Sequence, residues 1–370
     1  MTFDIQKIRE DFPVLSEWTY LDNAFVGLMP HQVREGYIEW ADEWHNYTLH
    51  PGETILGKWM RKARSVRKKV ASLIGVNSEE IAYTMCTGSG QNIVLNSFDW
   101  KEGDNVVFPE WEHNPPVTYE TERIGVEHRV LHQKEGRFDL SDIEELVDDK
   151  TKLVSITDVS YVNGFKMDLK GVTEIAHEHG AKVLVDSTQT VGALNVNYHD
   201  IDVDYVSFAP YKYMMGPPGL AFLYVSNENL ELVNPDRTGW KNAIWNRDRR
   251  NTDASKLEYG TIHFQGVYAM EKSLNYIEDV GMDVIDRLVR NLSGYIYDKI
   301  SELGVEIFTP ERGTSPVVSY MEDNAFEIAK NLMSQKIKVT GRREHRNHIR
   351  TSVHFYNTKE DIDRLLSTIN

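Results

Sequence analysis

The sequence predicts an α/β protein in which a large domain on a mostly parallel β-sheet precedes a smaller α+β domain. The chain has 370 residues, and at about 150 residues per domain this length predicts two domains. Short apolar strands alternate with helices as far as residue 260, which is typical of βαβ units. Beyond that point long helices accompany a few strands, so we expect helices beside a small antiparallel sheet.

The elements of the large domain follow one another closely. Residues 57–74 carry apolar side chains at helical spacing with basic residues between them, which predicts a long amphipathic helix. Short apolar runs predict strands at 79–85, 104–110, 128–132, 152–160, 182–187, 205–210 and 219–225. Further helices are predicted at 91–98, 140–149 and 171–180. In a parallel sheet covered on both faces, ligands usually bind at the carboxyl ends of the strands.

The C-terminal part of the chain has longer elements. One long helical stretch is predicted over 266–303. Strands are predicted at 305–310, 316–321 and 348–355, and helices at 325–335 and 358–369. We find no internal repeat and no low-complexity tract.

Composition and charge exclude several classes of function. Lys and Arg number 41 against 57 Asp and Glu, so the net charge is −16, which disfavours nucleic acid and anionic membrane surfaces as partners. No run of eighteen apolar residues is present, and the acidic N-terminal segment MTFDIQKIREDF lacks the apolar core of a signal peptide. We therefore expect a cytoplasmic protein. The single cysteine, Cys86, allows neither an intrachain disulfide nor a multi-cysteine metal site, and we expect no metal.

The strongest local pattern joins an aspartate and a lysine. Asp186 ends an apolar strand, where a carboxylate is costly unless it is paired, and Lys212 follows the next strand among glycines and prolines. Taken alone, Asp186 could simply cap a helix and Lys212 could be a surface lysine. Together they suit a carboxylate that pairs with a pyridinium and a lysine that forms a Schiff base.

A Gly/Ser turn, TGSG at 87–90, precedes a predicted helix. Glycines let the backbone approach a ligand closely, and free N–H groups at a helix N-terminus attract phosphate. The same turn is also the commonest structural cap. Ser89 and Gly90 are the best candidates for phosphate contacts.

The chain resembles the class-V aminotransferase family of fold-type-I pyridoxal phosphate enzymes, which includes cysteine desulfurases, kynureninase and isopenicillin-N-epimerase-like proteins. Seven segments match the family in order. They are YLDNAFVGLMP (20–30), TGSGQNIVLN (87–96), WEHNPP (111–116), VDSTQTVG (185–192), YKYMMGPPG (211–219), LEYGTIHF (257–264) and IRTSVHFYNTKEDID (349–363). One such match would be weak, whereas seven in the right order are specific.

This resemblance implies the architecture and the cofactor. It implies a large domain with a mostly parallel seven-stranded sheet that binds pyridoxal 5'-phosphate, over residues 20–260. Residues 261–370 would form the small α+β domain, and residues 1–19 an N-terminal segment that packs with it. The family also implies a homodimer whose active site is shared across the interface.

The resemblance assigns roles around the cofactor ring. Lys212 would form the Schiff base, and Asp186 would hold the pyridine nitrogen protonated. Gln189 would donate to the ring 3-hydroxyl oxygen. His113, from the family's glutamate-histidine pair, would lie on the ring face.

Other positions are expected to bind the phosphate. Ser89 and Gly90 occupy the place of the family's phosphate loop. The family often has serine and histidine just before the lysine, where this chain has Ala209 and Tyr211, so the Tyr211 hydroxyl would reach the phosphate instead. Thr261 resembles a threonine that contacts the cofactor phosphate of the neighbouring subunit. Here the usual proline after that threonine is Ile262.

Substrate binding is assigned to two segments. Arg350 would bind the substrate carboxylate with its planar guanidinium, and Asn23 and Ala24 would lie beside the substrate. The preceding loop carries three more arginines, which could select a second acidic group on the substrate or could form a solvated basic run: Arg342, Arg343 and Arg346.

One departure from the family bears on the reaction. Cysteine desulfurases carry a persulfide-forming cysteine in the loop before the arginine strand, whereas residues 339–348 read VTGRREHRNH. We therefore expect an enzyme acting on a small L-amino acid through an external aldimine and an α-carbanion, with β-elimination of a C–S lyase type and no protein persulfide. The proton donor could be His345, His348 or Tyr161. Alternatives are an amino-acid epimerase or aminotransferase, a cysteine desulfurase, and a non-catalytic binding protein with the same fold.

Overall fold

The fold is described from a computed structural model covering residues 4–47, 52, 54–111, 113, 115–242, 252–343 and 345–369. Its strands are β1 (Thr19–Tyr20), β2 (Ile81–Thr84), β3 (Asn105–Pro109), β4 (Glu127–Leu131), β5 (Thr151–Thr157), β6 (Lys182–Asp186), β7 (Tyr205–Phe208), β8 (Ala221–Val225), β9 (Val317–Met321), β10 (Ile337–Lys338), β11 (Thr340–Arg342) and β12 (His348–Ser352).

Helices pack on both sides of these strands. They are α1 (Ile5–Glu10), α2 (His31–His45), α3 (Ile55–Leu73), α4 (Thr87–Leu95), α5 (Pro115–Arg123), α6 (Leu140–Leu146), α7 (Leu169–Glu178), α8 (Tyr198–Ile201), α9 (Phe264–Val280), α10 (Met282–Glu302), α11 (Ala325–Ser334) and α12 (Lys359–Leu366). Among the described residues, no helix has the combination of length and apolar character that a membrane span requires.

A seven-stranded sheet forms the centre of the large domain, in the order β2-β8-β7-β6-β5-β3-β4. Its neighbours are parallel except for β8, which runs antiparallel to β2 and to β7. β3, β7 and β8 are buried along their whole length, as expected for strands covered on both faces. The predicted α/β class and mostly parallel sheet are confirmed.

The second sheet has three antiparallel strands in the order β11-β12-β9. The chain's N-terminal segment reaches this part of the molecule, since β1 pairs in parallel with β10. Arg9 of α1 also donates to Asp361 of α12 at 2.7 Å. These contacts hold residues from both ends of the chain beside the small sheet.

The structure corrects two C-terminal predictions. The helical stretch over 266–303 is two helices, because Gly281 has a positive φ of 87°, which interrupts the helical conformation between α9 and α10. Residues 305–310 were predicted as a strand, yet among them only Ile307 makes a bridge, to Tyr320.

The helix predicted at 91–98 begins earlier, at Thr87, because the Gly/Ser turn is itself part of its first turn.

Candidate active site

Asp186 lies at the carboxyl end of the central strand β6. Thr157 of β5 and Ser207 of β7 are its neighbours across the sheet. The backbone N–H of Thr188 donates to Asp186 Oδ1 at 2.9 Å, which fixes the carboxylate after the strand ends. This is the edge of the sheet where the sequence placed a ligand site.

Lys212 is buried and lies close enough to Asp186 for the two charges to interact. Burial of the amine lowers the pKa of Lys212 to about 8, although the negative charge of Asp186 acts in the opposite direction. The positive charges of Arg350 and Arg342 lower this pKa further. A lysine with such a pKa is partly neutral near neutral pH, as nucleophilic attack on an aldehyde requires.

Gly27 positions the backbone of Lys212, a role that the sequence did not indicate. The Gly27 N–H donates to the carbonyl of Tyr211 at 3.0 Å. A Cβ atom at Gly27 would lie 1.8 Å from the carbonyl oxygen of Lys212. Only glycine therefore allows the N-terminal segment to pack directly against the lysine loop.

Gln189 is buried and lies next to the same N-terminal segment. Its Nε2 donates one hydrogen to the carbonyl of Ala24 at 3.1 Å, and an amide NH2 group carries a second donor hydrogen. Its Oε1 is buried and has no hydrogen-bond partner among the described residues. A buried acceptor of this kind is a site where a polar ligand group would be favourable.

The N-terminus of α4 offers backbone donors at the Gly/Ser turn. Helix α4 begins at Thr87, and the amides of Ser89 and Gly90 already donate to the carbonyl of Cys86. The amides of Thr87 and Gly88 come before these first helical bonds, so they are further candidates for binding a phosphate, and the role of Ser89 and Gly90 stays a prediction. The helix was predicted to begin at residue 91, and a predicted start at Thr87 would have identified these two amides.

Gly90 has a packing reason to be glycine. A Cβ there would lie 2.3 Å from Ser207 Oγ, and this hydroxyl donates to the carbonyl of Thr87 at 2.8 Å. The Thr87 and Thr188 hydroxyls are hydrogen-bonded at 2.9 Å. Helix α4 is thus tied to the loop that follows Asp186.

Tyr211 lies close to Asp186 and to the amine of Lys212. Burial raises the pKa of Tyr211, and the negative charge of Asp186 raises it further. The phenol therefore stays protonated and can donate a hydrogen bond. The Lys212 amine lies 5.8 Å from the centre of the Tyr211 ring.

His113 has an exposed side chain just before α5. Its neighbours Glu112 and Asn114, part of the matched glutamate-histidine segment, lie outside the described residues. The preceding Trp111 is buried, and its ring packs against Phe308 and against His345 of the arginine-rich loop. This anchor connects the His113 segment to the C-terminal part of the chain.

Thr261 is exposed and lines a cavity of about 350 Å³ in the protomer. Ser89 and His263 line the same cavity. Burial lowers the pKa of His263, so this imidazole is neutral. The cavity thus lies between helix α4 and the segment that carries Thr261.

Arg350 is almost completely buried on β12, with 1% of its surface exposed. One terminal nitrogen donates to the carbonyl of Tyr161 at 2.9 Å, and the other donates to Asp22 Oδ1 at 3.2 Å. Its Nε is buried without a partner among the described residues. The guanidinium is therefore held in place and has one unused buried donor.

Asn23 and Ala24 hold the N-terminal segment against the C-terminal strand. Asn23 Nδ2 donates to the carbonyl of Ser352 at 2.8 Å, and its Oδ1 accepts from the Tyr356 hydroxyl. The N–H of Ala24 donates to Ser352 Oγ at 2.8 Å. These hydrogen bonds fix the segment against the end of β12 and the residues that follow it.

Comparison with known proteins identifies close structural and sequence relatives. The family model described as Aminotransferase class-V matches residues 19–365. A probable cysteine desulfurase of Methanothermobacter thermautotrophicus is 28% identical, covering 98% of this chain and 97% of that protein. The apo structure of a cysteine desulfurase from Thermococcus onnurineus matches with a TM-score of 0.88 and 25% identity, covering 98% of this chain and 96% of the other.

A third solved structure shares the fold. It is a complex of the cystine C–S lyase C-DES with its reaction product cysteine persulfide. Its TM-score is 0.86 at 20% identity, covering 96% of this chain and 98% of the other.

Proposed function

Because this chain belongs to the class-V aminotransferase family, we propose that it is a C–S lyase that cleaves a small L-amino acid by β-elimination. It is a pyridoxal phosphate-dependent enzyme of the lyase or transferase type. Two observations carry the proposal. Lys212 and Asp186 share the carboxyl edge of the sheet, and Cys86, the chain's only cysteine, lies in a different segment from Arg350.

The residues at this edge of the sheet fit pyridoxal phosphate. A lysine with a lowered pKa, an adjacent carboxylate and a buried unpaired amide oxygen suit its aldehyde, ring nitrogen and ring hydroxyl. The start of α4 and the hydroxyl of Tyr211 suit its phosphate. When bound, the cofactor supplies an electron-accepting ring that stabilises negative charge on the substrate α-carbon. We propose that Lys212, Asp186, Gln189, Tyr211 and the Thr87–Gly88 amides hold it.

The chain's own groups then divide the work. Lys212 holds the cofactor and, once the substrate amine takes its place, accepts the α-proton on Nζ. Asp186 keeps a proton on the ring nitrogen through its negative charge. Arg350 binds the α-carboxylate, which orients the bond to be broken.

The position of Cys86 argues against a protein persulfide. A desulfurase needs a thiolate that attacks the substrate sulfur. Cys86 is the N-cap residue of α4, with its Sγ 3.2 Å from Ser89 Oγ, so it belongs to the proposed phosphate end of the site. Arg350, which would bind the substrate α-carboxylate, lies instead on the small sheet. Elimination needs no acceptor thiol.

His348 is an unsuitable proton donor for the leaving group. Its Nδ1 lies 2.8 Å from the carbonyl of Arg346, and since a carbonyl only accepts, Nδ1 carries the hydrogen. Burial lowers the pKa of His348 to about 4, so its Nε2 carries no proton at neutral pH. Of the three proposed donors, His345 and Tyr161 remain. Lys212 itself, having accepted the α-proton, is a further donor.

A cysteine desulfurase is the second candidate, because relatives over nearly the whole chain carry that name. The two candidates differ in the fate of sulfur. In elimination from RS–CH₂–CH(NH₃⁺)–COO⁻, the Cβ–S bond breaks, sulfur keeps the electron pair and takes a proton, and water completes the release of pyruvate and ammonium. In desulfuration the substrate keeps its amino group and leaves as alanine, and the sulfur passes to the protein.

The deciding experiment incubates the holoenzyme with L-cysteine, L-cystine and S-substituted L-cysteines. Pyruvate, ammonium and the sulfur species that leaves (sulfide from cysteine, cysteine persulfide from cystine, a thiol from the S-substituted cysteines) are quantified, and deuterium exchange at the α-carbon is recorded in parallel. The lyase proposal predicts the three products in equal amounts. Alanine formed together with protein-bound sulfur would identify a desulfurase instead, and deuterium exchange without products would identify an epimerase or a transaminase.

A further inference from the structure

His354 connects the segment that carries Arg350 to the backbone that follows Lys212. It comes two residues after the end of β12 and is completely buried. Its Nε2 lies 2.8 Å from the carbonyl oxygen of Tyr213. Because a carbonyl only accepts, Nε2 carries the hydrogen and donates it. The residue next to the proposed cofactor lysine is therefore held by a side chain four positions from the proposed substrate arginine.

The backbone that His354 holds belongs to a strained turn. Met215 has a positive φ of 54°, a left-handed conformation that residues with a Cβ atom rarely adopt. Its N–H donates to the carbonyl of Lys212 at 3.0 Å, which closes the turn directly on the lysine. A conformation of this kind persists only where the surrounding contacts hold it.

Side chains from distant elements hold the carbonyl groups inside this turn. His354 donates to the carbonyl of Tyr213, and the Ser273 hydroxyl of α9 donates to the carbonyl of Met214. The loop after Asp186 packs against the same peptide, since a Cβ atom at Gly192 would lie 2.7 Å from the Tyr213 carbonyl oxygen. The contact from His354 is the one that connects the turn to the segment of Arg350.

Packing alone does not explain an imidazole at this position. The rings of Tyr213, Phe355 and Tyr356 surround it, with centroids 5.5, 4.6 and 5.0 Å away. Its Nδ1 is buried and has no hydrogen-bond partner among the described residues, which is unfavourable. An apolar ring would avoid this cost, so the hydrogen bond to Tyr213 is what a histidine contributes here.

The imidazole does not act as an acid or a base itself. Burial lowers the pKa of His354 to about 3, so the ring is neutral at neutral pH. Its Nε2 hydrogen is committed to the Tyr213 carbonyl. Any effect of His354 on the reaction must therefore pass through the position of the turn.

We propose that His354 is a positioning residue that fixes the turn after Lys212 relative to Arg350, so that the Lys212 amine is aimed at the substrate α-proton. This rests on the proposed roles of Lys212 and Arg350, and it names a further residue for proton transfer at the same site. Arg350 holds the substrate by its α-carboxylate, so the reach of Lys212 to the α-carbon depends on how the two segments are joined. A displacement of about 1 Å can lower the rate of such a step about a hundredfold.

Exchange of the α-proton of L-alanine for solvent deuterium measures this step separately. L-alanine has no leaving group on its β-carbon, so exchange requires proton transfer at the α-carbon and no β-elimination. The exchange rate of the holoenzyme at saturating L-alanine is followed by NMR, and the Kd through the change in visible absorption. Loss of a positioning residue should lower the rate and leave the Kd nearly unchanged.

A matched pair of amide variants isolates the hydrogen bond. His354→Gln places an amide nitrogen at about the reach of Nε2 and should recover most of the native rate. His354→Asn is one methylene shorter, so it leaves the Tyr213 carbonyl without its donor and should slow exchange about tenfold or more. His354→Leu should behave like His354→Asn. Phe355→Leu, which alters a neighbouring buried ring that has no donor, should exchange at the native rate.

The four rates decide the proposal. Native exchange in His354→Asn, equal slowing in His354→Asn and His354→Gln, or equal slowing in Phe355→Leu would overturn it. A change confined to the Kd would also overturn it. Rates are expressed per bound cofactor and compared with circular dichroism of each variant, and the amide pair gives the answer even where His354→Leu does not fold.

Exchange and elimination separate this inference from the proposed function. If the native enzyme exchanges L-alanine and releases no pyruvate from the cysteine substrates, the lyase function fails, and the slow exchange of His354→Asn still supports the positioning role. If pyruvate is released and His354→Asn exchanges normally, the lyase function stands and the positioning role fails. Absence of exchange in the native enzyme would refute proton transfer by Lys212 and, with it, the role of His354.

Discussion

The guanidinium of Arg350 lies 3.2 Å from Asp22 Oδ1, and neither side chain is more than 1% exposed. Asp22 also accepts a hydrogen bond from the Thr340 hydroxyl at 2.7 Å and lies 3.2 Å from the amine of Lys338. This carboxylate therefore joins the N-terminal segment to both β11 and β12. The proposed substrate arginine is neutralised and oriented before any substrate arrives.

Asp22→Asn should destabilise the protein by about 3 kcal/mol or more, since removing one member of a buried pair leaves an uncompensated charge. The measurement is urea denaturation of the native and variant proteins. Glu306→Gln is the matched control, because it removes the partner of exposed Arg346 and should cost less than about 1 kcal/mol. Equal costs for the two variants would contradict a buried role for Asp22.

The pKa of Lys212, about 8, predicts how cofactor attachment depends on pH. Only the neutral amine attacks the aldehyde, so the rate at which the apoenzyme binds pyridoxal phosphate should rise with pH through about 8 and then level off. Asp186→Asn should move the midpoint to lower pH, because the charge of Asp186 raises this pKa. Arg350→Gln should move it to higher pH.

The assay is stopped-flow absorbance over a pH series, and borohydride reduction followed by peptide mapping identifies the modified residue. The label should fall on Lys212 and disappear in Lys212→Ala. A midpoint near 10.5, the ordinary lysine value, or a label on another lysine would refute the assignment.

Cys86→Ser should retain most of the activity, because serine can keep the contact with Ser89 and elimination uses no thiol. Any sulfur product should be found free in solution. Intact-protein mass spectrometry after turnover tests for added sulfur, with inactive Lys212→Ala as the reference. A persulfide on Cys86 combined with loss of activity in the serine variant would restore the desulfurase function.

Gly27→Ala should impair cofactor attachment without contacting the cofactor. The new methyl group would lie 1.8 Å from the carbonyl oxygen of Lys212, so the lysine loop must move, at a cost of about 1–3 kcal/mol. The control is Gly57→Ala, whose nearest neighbour would be the movable Thr54 side chain at 3.1 Å. Reduced cofactor occupancy is expected only in Gly27→Ala, and equal occupancy in both would contradict the packing argument.

Thr261 is predicted to contact the cofactor phosphate of a second subunit, which makes the active species a homodimer. Met85 and Tyr259 line the same cavity as Thr261 and are themselves exposed, 59% and 36%, as expected for a surface that a second copy covers. Mixing Lys212→Ala with Thr261→Val protomers should restore activity, because one site of each hybrid dimer then has both native residues.

If Thr261 acts within its own subunit, the hybrid cannot recover activity, since its only lysine-bearing site lacks the threonine. Sedimentation of the mixture verifies that hybrids form. An active monomer would also refute the prediction.

Part of the fold and site could be predicted because it is encoded locally. Apolar strands alternating with helices identified the parallel sheet, and the segments around Asp186 and Lys212 identified the family and its cofactor. The break at Gly281 escaped the prediction because the apolar helical spacing continues on both sides of it. The contribution of residues 1–19 to the small domain, the domain boundaries and the roles of all the site residues stay predictions.

The sequence by itself determined the chemistry that the chain can support, because a lysine and an aspartate that suit pyridoxal phosphate, and the lack of a loop cysteine, are properties of short segments. Only the tertiary structure decided which groups meet. Asp22 and Arg350 are 328 residues apart, and Arg342 reaches the face of Arg350 through the register of β11 and β12, whereas Arg343 does not. Strand register and long-range pairing depend on the whole packed core, and no local periodicity records them.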